Sequence, residues 1–252
     1  MLKIPTLTQL LEAGVHFGHR SSRWNPKMKP FIFTQQAGIH VIDLEKTENA
    51  LKKAAEFVKE LAERGGNIVF LATKKQTAEI VKEQAQRVGS MYMTKRWLGG
   101  LLTNFDAVKK TIDKLPKLEE KLADKESGLT KKEQLLIQRE ADKMTRSIGG
   151  IRNLAKLPDA LFVIDSRKED NAVREANKMD VPVIALVDTN ADPTKIDYPI
   201  PANDDAIKSV SLLVSTIADA FEDGKKSWQK KEVIAEKKRV KEEEKEAVAQ
   251  AV

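Results

Sequence analysis

The sequence predicts an α/β protein built on a doubly wound parallel sheet, and two observations support that prediction. The strand runs are continuously apolar, as at 69–71, 161–164 and 183–187, which is typical of strands that helices cover on both faces. These strands also alternate with helical patterns, in the order NIVFLAT, a helix over 75–88, ALFVID, a helix over 168–178 and VPVIALVDTN.

The N-terminal part predicts smaller elements. Thr8 and the QLLEAG after it predict a short capped helix that Gly14 ends. Two β-prone runs, at 31–34 and 39–42, are separated by QQAG and predict a β-hairpin. Apolar residues then recur at every third or fourth position over 44–64, which predicts a helix that covers the sheet.

The end of the chain predicts an edge strand at 198–200 and a closing helix. Asn203 is the expected N-cap of that helix, with Asp204 and Asp205 in its first turn. From Lys225 onward nine basic residues face six glutamates and few apolar residues, so we expect a frayed or disordered tail outside the core.

A long polar stretch, 106–146, interrupts the strand and helix alternation. Its apolar residues form two narrow seams that can bury only each other, which predicts an inserted antiparallel helical hairpin of the coiled-coil type. We expect the turn at 127–128, a capping box from Thr130 to Glu133, and a break or kink near Pro116. The predicted organisation is a discontinuous α/β domain (1–105 and 147–224), the hairpin (106–146) and a charged tail (225–252).

The composition narrows the functional classes. Charged residues make up 33% of the 252-residue chain, above the average of about 25%, and the net charge is +6. The absence of cysteine excludes disulfides and thiolate metal sites. No stretch reaches the ~20 apolar residues that span a bilayer, and the N-terminus lacks a secretory pattern, so we expect a soluble, cytoplasmic protein.

Basic residues concentrate in two predicted loop regions. Residues 3–35 carry five basic side chains against one acid, and residues 73–96 carry six against two. Each region has a tryptophan beside arginine, at Trp24 and Trp97, a pairing that suits phosphate contact together with base stacking on irregular RNA. The alternative is that the tryptophans rim the core and the charges form a solvated face.

Aspartates at the predicted carboxyl ends of strands suggest a metal hypothesis. Two or three carboxylates of the set Asp165, Asp188, Asp192, Asp204 and Asp205, together with His16, could hold a divalent ion such as Zn²⁺ or Mg²⁺, and no organic cofactor is expected. The alternative is that these aspartates cap helices and form turns.

Catalysis has little support, because all three histidines lie in the first fifth of the chain and neither GxSxG nor HExxH occurs. A metal-dependent phosphohydrolase using the aspartates remains one alternative. An interaction scaffold, in which the hairpin docks partner helices, is another.

Six motifs in this order resemble the bacterial form of universal small-subunit ribosomal protein two: LLEAGVHFGHRSSRWNPKMKPFIF, IHVIDLEKT, RWLGGLLTNF, LPDALFVIDSRKE, VIALVDTNADP and YPIPANDDAIKSV. The resemblance runs from about Leu7 to Phe221. It implies a flavodoxin-like sheet with a protruding coiled-coil hairpin, a non-enzymatic role in the cytoplasmic small ribosomal subunit, and binding to its RNA and neighbouring proteins. It also implies anchoring of the large mRNA-binding ribosomal protein one, no small-molecule substrate and no membrane.

The resemblance further implies particular site residues. The RNA contacts would be Arg20, Arg23, Trp24, Asn25, Lys27, Lys29, Lys74, Lys75, Lys95, Arg96, Trp97 and Asn104. Some family members hold zinc, which favours His16 with Asp188, Asp204 and Asp205 as ligands. Two positions depart from the family's pattern, since Ser166 stands where proline is expected and Ala191 where cysteine is often found.

Overall fold

The computed structural model of the chain describes residues 3–123 and 130–250. The helices are α1 (Leu7–Glu12), α2 (Leu44–Glu63), α3 (Lys75–Arg87), α4 (Phe105–Ala123), α5 (Lys131–Ile148), α6 (Asp170–Lys178) and α7 (Ile207–Gln250). The strands are β1 (Phe17–Arg20), β2 (Ile32–Gln36), β3 (Ile39–Ile42), β4 (Ile68–Leu71), β5 (Met91–Met93), β6 (Ala160–Ile164), β7 (Val183–Val187) and β8 (Tyr198–Pro201). Short 3₁₀ turns lie at Ser21–Arg23, Pro26–Phe31, Gly149–Ile151 and Pro193–Lys195.

The central sheet contains five parallel strands in the order β5, β4, β6, β7, β8. Numbered among themselves along the chain, these strands read 2-1-3-4-5, which is the flavodoxin-like order. Every residue of β4, β6 and β7 is buried, as their continuous apolar runs predict. The predicted α/β fold with a parallel sheet is confirmed.

Helices cover both faces of this sheet. Alternate residues of β4 point to opposite sides, so Phe70 joins one core cluster and Val69 the other. The first cluster includes buried residues of α2, α3 and α7, and the Phe70 ring meets Phe162 edge-on at 5.4 Å. The second cluster includes buried residues of α4, α5 and α6.

A separate antiparallel sheet of three strands, in the order β1, β3, β2, precedes the main sheet. The predicted hairpin is β2 and β3, joined by Ala37 and Gly38 with φ angles of 49° and 78°. Positive φ at both positions is the geometry of a tight two-residue hairpin turn. The sequence did not predict β1, since its four residues are all partly or fully exposed and carry no apolar pattern.

Two helix starts and one strand differ from the sequence predictions. α1 is capped by Thr6 and not Thr8, because the Thr6 hydroxyl accepts from the Gln9 backbone N–H while the Gln9 side chain accepts from the Thr6 N–H. β5 was missed because it has only three residues. Asn203 does not cap α7 directly. Its side-chain oxygen accepts from the backbone N–H groups of Asp205 and Ala206, so Asp204 and Asp205 both precede the helix.

Helices α4 and α5 pack against each other. Ile112, Leu115 and Leu118 of α4 are buried in the same cluster as Ala141 of α5. The predicted break at Pro116 is wrong, since α4 continues through it, while a kink there stays a prediction. Burial of three large side chains, each worth about 1.5–3 kcal/mol, offsets a proline cost of about 3 kcal/mol. The capping box at the start of α5 is confirmed, the expected turn at 127–128 lies outside the described residues, and supercoiling of the pair stays a prediction.

The last helix, α7, continues past Lys225, where the sequence suggests a separate tail. The Trp228 ring lies directly over Gly65, where an added Cβ would come within 2.9 Å of it. Lys225 Nζ donates to the carbonyls of Val88 and Gly89 at 3.2 Å. The first turns of the predicted tail are therefore part of the folded domain. None of the helices described here, α7 included, has an apolar stretch long enough to cross a membrane.

Candidate nucleic-acid interface

The two basic regions of the sequence meet at one edge of the central sheet. Parallel strands end at the same edge, so the loops that follow β4, β5, β6 and β7 lie side by side. The N-terminal segment joins them, because Thr189 after β7 accepts hydrogen bonds from the backbone N–H groups of His19 (2.9 Å) and Asn25 (2.7 Å). We call this region the carboxyl edge; it comprises residues 19–29, 72–75, 94–104, 165–169 and 188–192.

The close approach of the N-terminal segment to β7 requires a glycine. A Cβ at Gly18 would lie 2.6 Å from Thr189 Cγ2 and 3.0 Å from the His40 carbonyl oxygen, closer than real contacts allow. A larger residue at this position would push the segment away from the sheet.

A buried ionic cluster lies beneath the carboxyl edge. The Lys74 ammonium, with its side chain only 16% exposed, is 2.8 Å from Asp165, 2.8 Å from Asp204 and 2.7 Å from Asp205. His19 Nδ1 is 2.9 Å from Asp188, and His19 Nε2 is 3.6 Å from Asp205. The cluster therefore contains more carboxylates than cations.

This excess of carboxylates shifts the pKa values of the cluster. Burial, reinforced by neighbouring Asp165 and Asp188, raises the pKa of Asp204 from 3.8 to about 7. Burial acts to lower the pKa of Lys74, but the surrounding carboxylates outweigh it and the net shift is upward. The hydrogen bond to Asp188 raises the pKa of His19 above 6.5.

These shifts predict that stability falls as the pH rises from about 5 to about 8. Because the pKa of Asp204 is raised in the folded state, the folded protein binds more protons than the unfolded chain between pH 3.8 and about 7. The His19 contribution is full below its ordinary pKa and is lost as the pH rises through the raised one. We expect the free energy of unfolding, from urea titration at each pH, to drop by about 1–2 kcal/mol over this range, and His19→Gln to reduce the drop. Stability that rises with pH would contradict this.

The structure does not form the predicted metal site of His16, Asp188, Asp204 and Asp205. Asp188, Asp204 and Asp205 do come together, but Lys74 and His19 bridge them, so protein cations already stand where a metal ion would need to bind. His16 lies elsewhere, beside Phe17 with ring centroids 4.0 Å apart, and burial lowers its pKa. Across 3–123 and 130–250, no three His, Cys, Asp or Glu side chains are arranged to hold a metal. These side chains do not fit a zinc centre. The histidine that does belong to the cluster, His19, was not predicted from the sequence.

Charge at the carboxyl edge is segregated, with acids inside and cations outside. Asp165, Glu169 and Asp188 are buried, and Glu169 accepts a hydrogen bond from the Thr73 hydroxyl. Eight exposed cations of the edge make no ion pair within the described residues; they are Arg20, Arg23, Lys29, Lys75, Lys95, Arg96, Arg167 and Lys168. The last two were missed from the sequence, although SRKE directly after ALFVID was the signal.

Several predicted RNA contacts have other roles in the structure. Lys74 belongs to the ionic cluster, and Lys27 pairs with Asp192 at 2.7 Å. The Asn25 side chain accepts from the Lys27 backbone N–H at 3.0 Å and so shapes the loop. Asn104 is exposed immediately before α4.

Trp97 is also a structural residue. It is only 6% exposed, and its indole N–H donates to Glu175 of α6 at 3.0 Å, so its ring is not open for base stacking. The same carboxylate accepts from the backbone N–H groups of Gly100 (2.9 Å) and Leu102 (3.2 Å), holding the glycine turn as a cap holds a helix start. Burial acts to raise the pKa of Glu175, but these hydrogen bonds lower it overall.

The fold and the site define a class: α/β proteins that present cationic loops at the carboxyl edge of a flavodoxin-like sheet. The family model described as Ribosomal protein S2 matches residues 10–224. The chain belongs to this family. It is a structural protein of the small ribosomal subunit in the cytoplasm, and the alternative of a phosphohydrolase is wrong because the family is not enzymatic.

Named relatives agree with the family match. The chain is 53% identical over 226 residues to small ribosomal subunit protein uS2 of Thermobifida fusca, covering 89% of this chain and 77% of the relative. The uS2 proteins of Clavibacter michiganensis (53% over 224 residues, 88% and 71%) and Acidothermus cellulolyticus (50% over 225 residues, 88% and 82%) are similar to it as well.

Proposed function

We propose that the chain binds small-subunit ribosomal RNA through the carboxyl edge. The observation that supports this proposal is the charge segregation there: exposed arginines and lysines from the N-terminal segment and three strand ends have no carboxylate partner within the described residues. Cations already paired internally gain little from a phosphate, whereas unpaired ones release counterions from RNA on contact. Lys74, Lys27 and Trp97 are not part of this proposal.

The loop after β5 provides the direct test. Replacing Lys95 and Arg96 together with glutamine removes two unpaired cations, so we expect weaker binding to a small-subunit ribosomal RNA transcript. The slope of log affinity against log salt should become less negative by roughly 0.7–0.9 for each phosphate that the protein no longer neutralises. Filter binding over a range of salt concentrations measures both quantities.

The matched control replaces Lys52 and Lys53 with glutamine. These two lysines are also adjacent, exposed and outside any ion pair of the described residues, but they lie on α2, away from the carboxyl edge. The control should bind like the original protein. Equal weakening by both double variants, or binding that is insensitive to salt, would sink the proposal.

We also propose that the chain helps to anchor the large mRNA-binding ribosomal protein one, beside neighbouring proteins of the subunit. An apolar groove of about 470 Å³ between α1 and the β2–β3 hairpin supports this, with Phe33 75% exposed and Leu11 53% exposed. We expect Leu11→Glu to abolish capture of that partner, while Leu136→Glu on α5, which replaces another exposed leucine, should not. Capture unaffected by Leu11→Glu would refute this role of the groove.

A further inference from the structure

A cavity of about 530 Å³ opens at the carboxyl edge, between the N-terminal segment and the ends of β6 and β7. Arg23 and Trp24 line it from the N-terminal segment, Ser166 and Arg167 from the loop after β6, and Asn190 from the loop after β7. Small-molecule sites typically enclose about 300–1,000 Å³. The cavity is therefore large enough for one nucleotide.

Two polar atoms of the cavity wall have no hydrogen-bond partner among the described residues. They are Ser166 Oγ and Asn190 Oδ1, and the Ser166 residue is only 7% exposed. Buried polar atoms are nearly always hydrogen-bonded in folded proteins, to protein, water or ligand, so these two atoms are free to bond to a ligand in the cavity. Asp165, just before Ser166, has a φ of 66°, and such left-handed conformations cluster at functional sites.

The charges of the cavity favour an anion. Arg23 and Arg167 are exposed and make no ion pair within the chain as described. The wall also contains Asp170 and Asp192, but both are already neutralised: Asp192 by Lys27 at 2.7 Å, and Asp170 by two cations. The two arginines are thus available for a phosphate, which a guanidinium can hold through two parallel hydrogen bonds.

An aromatic ring completes the set of groups. Trp24 is half-buried, with its ring tilted by 39° against His40 at a centroid distance of 5.0 Å. Trp24 also lines the cavity, where an unstacked base can lie against an aromatic ring.

We propose that this cavity receives one unstacked nucleotide of the ribosomal RNA, an inference that rests on the RNA binding proposed above. The base stacks on Trp24, its phosphate is held by Arg23 and Arg167, and its edge bonds to Ser166 and Asn190. Asn190 Oδ1 can only accept, so it pairs with a donor on the base edge, which an exocyclic amine or a ring N–H supplies.

The test uses the full chain with two probes, adenosine 5′-monophosphate and a small-subunit ribosomal RNA transcript. The double variant Ser166→Ala, Asn190→Ala should bind both probes roughly 5- to 30-fold more weakly, since it removes two hydrogen bonds. Its salt slope for the transcript should stay unchanged, because every cation that neutralises a phosphate is still present.

Two controls separate the cavity from the general charge of the edge. Ser22→Ala, an exposed serine that does not line the cavity, should bind like the original protein. Arg167→Gln should weaken nucleotide binding, whereas Arg139→Gln, which replaces an exposed arginine of α5 outside the cavity and outside the carboxyl edge, should leave it unchanged. Circular dichroism melting of each variant checks that it is folded.

The outcomes distinguish this inference from the function on which it rests. If the double variant binds the transcript as tightly as the original protein, the inference is overturned, even where the free nucleotide binds. A steep salt slope in that same experiment would leave ribosomal RNA binding intact. A flat salt slope in the original protein would overturn the proposed function itself.

Discussion

Replacing Lys74 with methionine is expected to lower the free energy of unfolding by about 3–5 kcal/mol. Lys74 is the cation that Asp165, Asp204 and Asp205 share, all within 2.8 Å of its ammonium. Methionine has a similar length, so the change removes the charge and leaves the carboxylates buried without compensation. Urea unfolding at neutral pH measures the decrease.

Lys75→Met is the matched control, because Lys75 is exposed and makes no ion pair within the described chain. We expect it to change stability by less than about 0.5 kcal/mol. The Lys74 variant should also regain stability when the pH is lowered, since protonation of Asp204 relieves the excess negative charge. A Lys74 variant as stable as the control would show that the ionic cluster does not depend on its central cation.

Glu175→Ala is expected to cost about 2–3 kcal/mol and to loosen the glycine turn after Trp97. One carboxylate accepts from the Trp97 indole and from the backbone N–H groups of Gly100 and Leu102, and hydrogen bonds to a charged group contribute about 1.5–3 kcal/mol when buried. The partial exposure of Glu175 reduces their sum. Thermal unfolding gives the stability change, and a red shift of tryptophan emission reports that the Trp97 ring has become solvated.

Glu175→Gln tests whether charge or shape matters in this cap. The amide keeps one acceptor oxygen but points donors at donors, so an intermediate destabilisation is expected. Since hydrogen bonding lowers the pKa of Glu175, its stabilisation is present above the ordinary value of 4.5 and is lost as the pH falls through the lowered one. Equal stability of the alanine variant and the original protein at neutral pH would contradict the capping role.

Local patterns in the sequence predicted the fold well, because buried strands and helices each impose a characteristic spacing on the apolar residues. The apolar runs of β4, β6 and β7 are each four or five residues long and wholly buried, and no other element type explains them as well. The strands that were missed, β1 and β5, carry no such run. Their places depend on pairing with β3 and β4, which a local pattern does not record.

The site was predicted in part, for the same reason. Loops rich in arginine and lysine are visible in the sequence, and their convergence follows from the shared edge of parallel strands. The internal partners are not visible: Lys74 meets Asp204 from 130 positions away, and Trp97 meets Glu175 from 78 positions away. His19 lies in β1 and faces Asp188, whereas His16 precedes the strand and lines the groove beside α1.

The hydrogen bonds that hold the N-terminal segment on the sheet impose a timing on biosynthesis. His19 is fixed by Thr189, which follows it by 170 residues, and Asn203 donates to the carbonyl of Gly14 from 189 residues downstream. At a translation rate of about 5–20 residues per second, roughly ten to thirty seconds pass between the synthesis of His19 and that of Thr189. The N-terminal segment therefore cannot dock on the sheet in its mature arrangement until nearly all of the chain has been made.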